Sequence, residues 1–230
     1  MKVQKSLIKG RLSQICLEIR NILNTLIKKQ RNIIEIKSDI DNLFKLIPNL
    51  NEFSGSLVEA WGHICFADYL DNYNTPETGT QKLRDSSFNY KGNDVLLNIK
   101  AKSFEKLGKS RINLSSYKRF YKHYTNKPIK PYIIAVFIYK FEIRKNSYII
   151  KVVDAYIFDL LEIPKKNLKI EGSYESSFRV YVSPIPEFLK MNIYDGRKIF
   201  SAKEFLIILT DIKNLYLEKR ANKKVKIKQT

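Results

Sequence analysis

Three polar residues near the middle of the chain, Asp85, Asn98 and Lys100, have the types and the spacing that metal-assisted hydrolysis needs. A carboxylate such as that of Asp85 can hold Mg²⁺ against a phosphate. An ammonium group close by can orient or activate water and offset phosphate charge. Asn98 would add a neutral oxygen or a hydrogen bond. Together the three residue types indicate cleavage of a phosphodiester bond.

These side chains act together only if a β-hairpin brings them to one face. Residues 91–94, Lys-Gly-Asn-Asp, have the composition of a hairpin turn between two β-prone stretches. With the two middle residues as the loop, Asp85 lies opposite Lys100 and Ser87 lies opposite Asn98. The period of two along a strand then gives one polar face and one apolar face. A loop one residue longer would move Asp85 to the other face, so the geometry depends on this turn.

Other side chains compete with this assignment. Asp94 is an even number of positions from Asn98 and Lys100, so it would share their strand face and is a rival metal ligand. Its position in the turn nevertheless favours a turn-forming role. Glu59 lies in a preceding helical pattern from which it can reach the site. His63 and His123 are interpreted as surface or core residues rather than as catalytic bases. The alternative for the whole group is a solvated hairpin face with a cross-strand ion pair and no catalytic role.

The charge balance indicates a polyanionic partner. The 230 residues include 42 Lys and Arg against 23 Asp and Glu, a formal charge of +19, which is typical of proteins that bind nucleic acid. A stretch of basic, amide and aromatic residues beyond Lys100 is predicted to contact DNA: Lys102, Lys106, Lys109, Arg111, Asn113, Tyr117, Lys118 and Arg119. Within this set Arg111 and Asn113 have groups able to read purine edges.

Several other classes of protein are excluded by the sequence. The apolar runs are too short to span a membrane, and Met1 to Gly10 lacks the features of a secretory signal, so we expect a soluble, cytoplasmic protein. Cys16 and Cys65 lack the paired spacing of a zinc site or a disulfide framework and are predicted to be buried thiols. The bias toward Lys, Ile, Asn and Tyr indicates an A/T-rich coding genome, as in a bacterium or phage.

The pattern of apolar residues predicts an α+β protein with a helical N-terminal module. Apolar residues recur every seven positions from Leu12 to Ile47, which predicts one long helix or a helical hairpin broken near Lys28 to Asn32. A further helix is predicted from Ser54, as its N-cap, to Asn72. The predicted organisation is a module at residues 1–50, a main domain at residues 51–218 and a loose basic tail at residues 219–230.

The later part of the chain mixes strands and helices. A helix is predicted at 113–124, and another begins at Ser201, which forms a capping-box pattern with Glu204, and runs to about Leu217. Strands are predicted at 132–141, 148–156 and 178–182.

The hairpin residues resemble the PD-(D/E)xK nucleases, a family that includes many type II restriction endonucleases. The family pattern is an Asp at the start of one strand, a turn, and then an acidic residue, one apolar residue and Lys on the next strand. Here the pattern reads Asp85, then residues 86–97, then Asn98-Ile99-Lys100. The chain departs from the family at two positions. Arg84 stands where the family often has Pro, and Asn98 replaces the acidic residue.

The resemblance implies a restriction-endonuclease-like fold, with a central mixed β-sheet flanked by helices, over about residues 54–156. It also implies Mg²⁺ held by Asp85, Asn98 and Ile99, with Glu59 and Lys100 as further site residues. The implied activity is cleavage of double-stranded DNA at a short specific sequence by a homodimer, for which the N-terminal heptads offer an interface. The rival functions are a structure-specific nuclease, such as a junction resolvase or repair nuclease, and a basic protein that binds DNA or RNA without cutting it.

Overall fold

The structure is a computed structural model of one chain. It describes residues 16–26, 28–29, 31–37, 50–74, 86–109, 111–144, 147–172, 178–183 and 199–228. The chain forms two compact units. Unit 1 comprises residues 1–109 and 130–160, and unit 2 comprises residues 110–129 and 161–230.

The described part of the chain contains both strands and α-helices. The strands are β1 (Ile33–Lys37), β2 (Ser86–Tyr90), β3 (Asn93–Ser103), β4 (Ile112–Ser116), β5 (Tyr132–Arg144), β6 (Ser147–Asp159), β7 (Leu168–Glu171) and β8 (Arg179–Val182). The α-helices are α1 (residues 16–26), α2 (Leu50–Tyr69), α3 (Tyr117–Thr125) and α4 (Ala202–Lys228). Short 3₁₀ segments lie at Phe104–Lys109, Leu160–Glu162 and Lys165–Asn167.

Unit 1 is built on a five-stranded sheet in the order β1-β6-β5-β3-β2. Strands β3 and β5 are parallel, whereas the other neighbouring pairs are antiparallel. A parallel pair requires a crossover connection, and residues 104–131 supply it. The predicted mixed sheet is therefore confirmed.

The parallel pair β3 and β5 forms the core of unit 1. Residues 95–99 of β3 and 132–139 of β5 are all buried, as expected for central strands covered on both faces. Helix α2 packs against β3, β5 and β6. Trp61 of α2 meets Phe137 of β5 edge to face, with ring centroids 5.5 Å apart. A Cβ atom at Gly62 would lie 2.5 Å from Phe137 Cε2, so the close approach of the helix requires glycine there.

Unit 2 is built on a three-stranded antiparallel sheet in the order β4-β8-β7. Helix α4 packs against β7 and against α3. The capping box predicted at the start of α4 is confirmed. The Glu204 N–H donates to Ser201 Oγ over 3.2 Å, and the Ser201 N–H donates to Glu204 Oε2 over 2.7 Å.

The prediction of helix throughout the N-terminal region is wrong at β1. Its residues pair antiparallel with β6, with Ile34 opposite Ile150 and Ile36 opposite Tyr148. The β-branched Ile residues of this segment favour an extended backbone, and pairing with β6 satisfies its hydrogen bonds. The seven-residue recurrence that runs through Ile33 therefore did not indicate a helix at this point.

The apolar stripe of helix α1 is covered within the single chain. Its members Cys16, Ile19, Leu23 and Leu26 are all buried. This burial favours packing of α1 inside one subunit over a seam between two copies. Leu12 and residues 40–47, which carry other positions of the predicted recurrence, lie outside the described residues.

The boundaries of three helices differ from those predicted. Helix α2 begins at Leu50, so Ser54 lies inside it and shares a 2.7 Å hydrogen bond with the Tyr148 hydroxyl rather than capping the helix. The segment predicted as helix at 113–124 starts as strand β4, and α3 begins only after Ser116, whose hydroxyl accepts from the Arg119 N–H. Helix α4 continues to Lys228, through the tail that was predicted to be loose.

Cys16 and Cys65 form no disulfide bond and are both buried, as predicted. Burial, together with the nearby charge of Asp68, raises the pKa of the Cys65 thiol to about 12. Among the helices that the structure describes, none is both long and apolar enough to cross a membrane.

Candidate active site on strand β3

The turn of the β2–β3 hairpin lies one residue earlier than the sequence predicted. Its two loop residues are Lys91 and Gly92, with φ values of 49° and 80°. Two consecutive positive φ angles are typical of a type I′ turn, which matches the twist of the flanking strands. The Asn89 side chain closes the turn by accepting a 2.9 Å hydrogen bond from the Gly92 N–H. Lysine is uncommon in a left-handed position, so the residue type at position 91 does not indicate this turn.

The earlier turn changes the register of the hairpin. Ser86 pairs with Leu97, and Ser87 pairs with Leu96, so the predicted pairing of Ser87 with Asn98 is wrong. Each partner has moved by two positions along β3, which preserves the period of two and therefore the face on which every side chain lies. Asp85 lies outside the described residues.

The side chain of Asn98 is buried in the middle of the sheet and is only 3% exposed. Its neighbour on the same face of β5 is the apolar Ile134, which is also fully covered. Within the described part of the chain, the amide oxygen Oδ1 has no hydrogen-bond partner. An unpaired buried oxygen lowers the stability of a folded protein by about 1–3 kcal/mol, so its presence at Asn98 needs a physical explanation. The sequence predicted this side chain in the site but not its burial.

Lys100 follows on the same face of β3 and is partly exposed. Its neighbour on β5 is the buried Val136. The amine and the amide that were predicted to share a face do so in the observed strand.

Glu59 reaches strand β3 from helix α2, as the sequence predicted. Its Oε1 accepts a hydrogen bond from the Ala101 N–H over 3.2 Å, directly after Lys100. Backbone N–H groups of a strand alternate between its two edges, and the Leu96 N–H donates toward β5, to Pro131 O. The backbone N–H of Ala101 therefore points to the opposite edge of β3, the edge that pairs with β2. The backbone groups of Ile99 point to the same edge. Both residues lie beyond Leu97, the last residue of β3 in a described pair with β2.

Tyr139 of β5 lies close enough to Glu59 of helix α2 to be influenced by its charge. Burial raises the pKa of Tyr139 to about 12, with further contributions from Tyr148 and from the carboxylates of Glu105 and Glu59. Glu105 also accepts a hydrogen bond from the Ser103 hydroxyl. These contacts place Glu59 close to the sheet rather than in bulk solvent.

A hydrogen-bonded chain that the sequence analysis missed links α2 to the start of β2. His63 Nδ1 lies 2.6 Å from the Tyr73 hydroxyl, and that hydroxyl donates to Ser86 Oγ over 2.9 Å. Ser86 is fully buried and directly follows Asp85 in the sequence. Residues this far apart in sequence gave no local pattern from which the contact could have been predicted.

The rival acid Asp94 has an ordinary structural role. Its side chain is 58% exposed and forms a 2.8 Å ion pair with Lys130. It lies at the start of β3 and pairs with Asn89, rather than inside the turn. In the described part of the chain, no group of three or more His, Cys, Asp or Glu residues could hold a metal ion.

The residues predicted to contact DNA divide between the two units. Unit 1 holds Lys102, which is partly exposed, Lys106, which is exposed, and Lys109, whose side chain lies outside the described part. In unit 2, Arg111, Asn113 and Lys118 are exposed, whereas Tyr117 and Arg119 are partly buried.

Tyr117 has a structural environment within unit 2. Its hydroxyl shares a 2.9 Å hydrogen bond with Thr210, its ring lies against Tyr121, and Lys213 lies over that ring. Contacts on several sides hold this ring inside the unit, which favours a packing role over a DNA contact.

Comparison with known proteins identifies the fold. No family model matches the chain, and no curated protein sequence matches it. Among solved structures, the chain is similar to one described as NlaIV restriction endonuclease, with a TM-score of 0.51 and 12% sequence identity, over 84% of this chain and 78% of that chain. At this level of identity the likeness shows the fold. The chain has a restriction-endonuclease-like α+β fold with a central mixed sheet flanked by helices.

Proposed function

We propose that this chain is a Mg²⁺-dependent, sequence-specific endonuclease that cleaves double-stranded DNA in the manner of type II restriction enzymes. The observation that carries the proposal is the buried amide oxygen of Asn98, which lacks a partner among the described residues and shares a strand face with Lys100. A bound ligand would repay the cost of burying this oxygen. The restriction-endonuclease-like fold and the formal charge of +19 support the same proposal.

The oxygen atoms near Asn98 fit a hard divalent cation. Mg²⁺ prefers carboxylate, amide and carbonyl oxygens, and we propose that Asp85, the Asn98 amide and the Ile99 carbonyl hold it. Since Ser86 pairs with Leu97, the next pair in the same register would be Asp85 with Asn98. When bound, Mg²⁺ supplies positive charge that stabilises the phosphate as negative charge develops on it.

Lys100 is proposed as the catalytic amine. Its ammonium group lies two residues beyond Asn98 on the same face, where it can donate hydrogen bonds to the attacking water and to the scissile phosphate. Its partial exposure leaves room for a substrate to reach it. Charge fixed at this point acts mainly on the transition state, so Lys100 should influence turnover more than affinity.

Glu59 is proposed as a positioning residue. Its hydrogen bond to the Ala101 N–H fixes the edge of β3 next to Lys100. An amide side chain could make the same bond, whereas a methyl group could not. The proposed function therefore depends on the acceptor oxygen of Glu59 rather than on its charge.

The partner is proposed to be duplex DNA bound by a homodimer. Cutting both strands of a symmetric sequence requires two active sites, one from each subunit. Ile19 and Leu26 belong to the apolar stripe of α1, which is buried within one chain. We therefore propose that the subunits meet through a different surface.

Incubation of the full-length protein with a sequenced plasmid in Mg²⁺ tests this function. We expect a small set of discrete linear fragments whose ends map to one short sequence, and no cleavage in EDTA. A matched plasmid carrying a cruciform or a flap should be cut at the same sites as the plain duplex. Cleavage confined to the branch would identify a structure-specific nuclease instead. Binding without any nick in Mg²⁺ would identify a non-enzymatic DNA-binding protein.

A further inference from the structure

One face of the sheet in unit 2 is polar and open to solvent. Residues of β7 and β8 alternate regularly, so that Leu168, Ile170, Val180 and Val182 are buried while the residues between them are not. Helix α4 packs on β7, which explains the burial of one face. On the opposite face, the side chains of β7 and β8 are exposed or partly exposed, so the described residues of unit 2 leave this face open. We call it the polar sheet face.

Adjacent strands bring complementary groups together across the polar sheet face. Tyr181 in the central strand has Asn113 of β4 on one side and Lys169 of β7 on the other. Arg179, two residues earlier on β8, lies beside Glu171 of β7. Asn113, Lys169 and Arg179 are exposed, and Tyr181 is partly exposed.

Arg111 is held in a fixed position at the edge of this face. Its NH1 lies 2.5 Å from Glu171 Oε1, and its guanidinium carbon lies 4.8 Å from the centre of the Tyr181 ring. The ion pair engages one end of the guanidinium group, while the ring fixes its plane. The side chain is nevertheless 45% exposed, so part of the group remains accessible to a ligand.

We propose that the polar sheet face reads base edges in the major groove of duplex DNA, with Arg111 as a specificity-determining residue. The inference rests on the proposed function, for which it names the surface that selects the sequence. An arginine donates two parallel hydrogen bonds to guanine O6 and N7, whereas an asparagine such as Asn113 donates one hydrogen bond to adenine N7 and accepts one from adenine N6. The major groove is about 12 Å wide and admits a two-stranded β-ribbon, and neighbouring strands such as β4 and β8, which carry Asn113 and Tyr181, lie about 5 Å apart.

The fixed position of Arg111 favours base reading over simple attraction to phosphate. A lysine or arginine that only neutralises phosphate needs no fixed plane, whereas two parallel hydrogen bonds to one base do. The contact with Tyr181 and the ion pair with Glu171 reduce the conformational freedom that Arg111 would lose on binding. Lys169 and Arg179 on the same face supply charge for the flanking phosphates.

Selection of bound sequences from a random duplex library tests this inference. The full-length protein is used in EDTA, so that cleavage does not intervene, and the bases preferred by wild type are compared with those preferred by Arg111→Ala and Arg111→Lys. We expect wild type to prefer guanine at one or more positions, and both variants to lose that preference by about tenfold to a hundredfold. Lys203→Ala, which removes one exposed charge from α4 of unit 2, is the control and should keep the preference.

The variants separate base reading from charge and from folding. Full preference in Arg111→Ala would overturn the inference, as would a wild-type protein without base preference. Retained preference in Arg111→Lys alone would support base reading by position 111, since lysine can also donate to guanine O6 and N7. Loss of preference in both Arg111 variants with unchanged thermal unfolding would support it. If wild type selects a sequence but cuts no DNA in Mg²⁺, the proposed nuclease function fails while the reading surface stands. If Arg111→Ala cuts the wild-type sequence with undiminished discrimination, the reading surface fails while the proposed nuclease function stands.

Discussion

In unit 1 the polar side chain of Asn98 lies inside a sheet whose residues 95–99 are all buried, whereas in unit 2 the polar residues of β7 and β8 alternate with buried ones and face solvent. The first arrangement is costly because an amide oxygen loses its hydrogen bonds to water and gains none in return. The second costs little because each polar group stays hydrated.

Under the proposed function, this difference separates two kinds of residue. A buried, unpaired oxygen beside an amine suits chemistry, in which preorganised groups act on a desolvated ligand. An exposed row of donors on a rigid sheet suits recognition, in which a partner replaces water at each group. Substitutions in β3 should therefore change catalysis, and substitutions on the polar sheet face should change selectivity.

Replacement of Lys100 by Ala should have the largest effect among the described residues. We expect the single-turnover cleavage rate to fall about a hundredfold or more, with a modest loss of DNA affinity, because the ammonium group is proposed to act on the transition state. Rapid-quench measurements at saturating DNA, with affinity measured separately, check this. A normal rate with collapsed affinity would make Lys100 a phosphate clamp, a role closer to that of the unit 2 surface.

Replacement of Asn98 by Leu should separate stability from activity. Removal of an unsatisfied buried amide in favour of an apolar side chain of similar size is expected to raise the free energy of unfolding by about 1 kcal/mol. The cleavage rate should fall at least about tenfold, since the oxygen proposed as a metal ligand is lost. Denaturant unfolding and cleavage assays on the same preparation test both parts. A stable and fully active variant would show that the buried oxygen has no catalytic role.

The Asn98→Asp variant provides the matched comparison. A carboxylate buried at this position should destabilise the protein by several kcal/mol in EDTA, and added Mg²⁺ should restore much of that loss. Thermal unfolding with and without Mg²⁺ measures the difference. The same loss at all Mg²⁺ concentrations would contradict a metal at this position.

Two substitutions of Glu59 distinguish positioning from charge. Glu59→Gln keeps an acceptor for the Ala101 N–H and should retain cleavage within about threefold, whereas Glu59→Ala should lose about tenfold and about 1 kcal/mol of stability. The comparison uses single-turnover rates at saturating DNA. If Gln were as damaging as Ala while both proteins remained stable, the carboxylate charge itself would be required.

Tyr73 should show the smallest effect. Tyr73→Phe removes the hydrogen bonds to His63 and Ser86 and is expected to cost about 1–2 kcal/mol of stability, with cleavage within about threefold of wild type. Tyr121→Phe, on an exposed ring of α3, is the control and should leave the unfolding midpoint unchanged. Equal midpoints for the two variants would show that the chain of hydrogen bonds contributes nothing.

The sequence predicted those features that depend on local patterns. Apolar runs predicted the buried strands β5 and β6, and the Ser201–Glu204 capping box marked the start of α4. The period of two along β3 correctly placed Asn98 and Lys100 on one face, and Glu59 was among the side chains that could reach the site. These features need no knowledge of distant residues.

Features that depend on distant partners were not predictable. Strand β1 forms because β6 pairs with it, and the turn at Lys91 adopts positive φ angles that its residue type disfavours. The burial of Asn98 follows from the parallel pairing of β3 with β5, which the hairpin alone did not reveal. Strand β7 and the contact of Arg111 with Tyr181 depend on pairing within unit 2.

A paired measurement on Asp85→Ala and Asp94→Ala tests the central claim most directly. Both substitutions remove one carboxylate near the same hairpin, but only Asp85 is proposed to hold the metal, since Asp94 is exposed and paired with Lys130. Single-turnover cleavage of plasmid DNA in Mg²⁺ should fall at least about a hundredfold in Asp85→Ala, with DNA binding retained, and should stay within about twofold of wild type in Asp94→Ala. Full activity in Asp85→Ala, or loss of activity in Asp94→Ala alone, would contradict the proposed site.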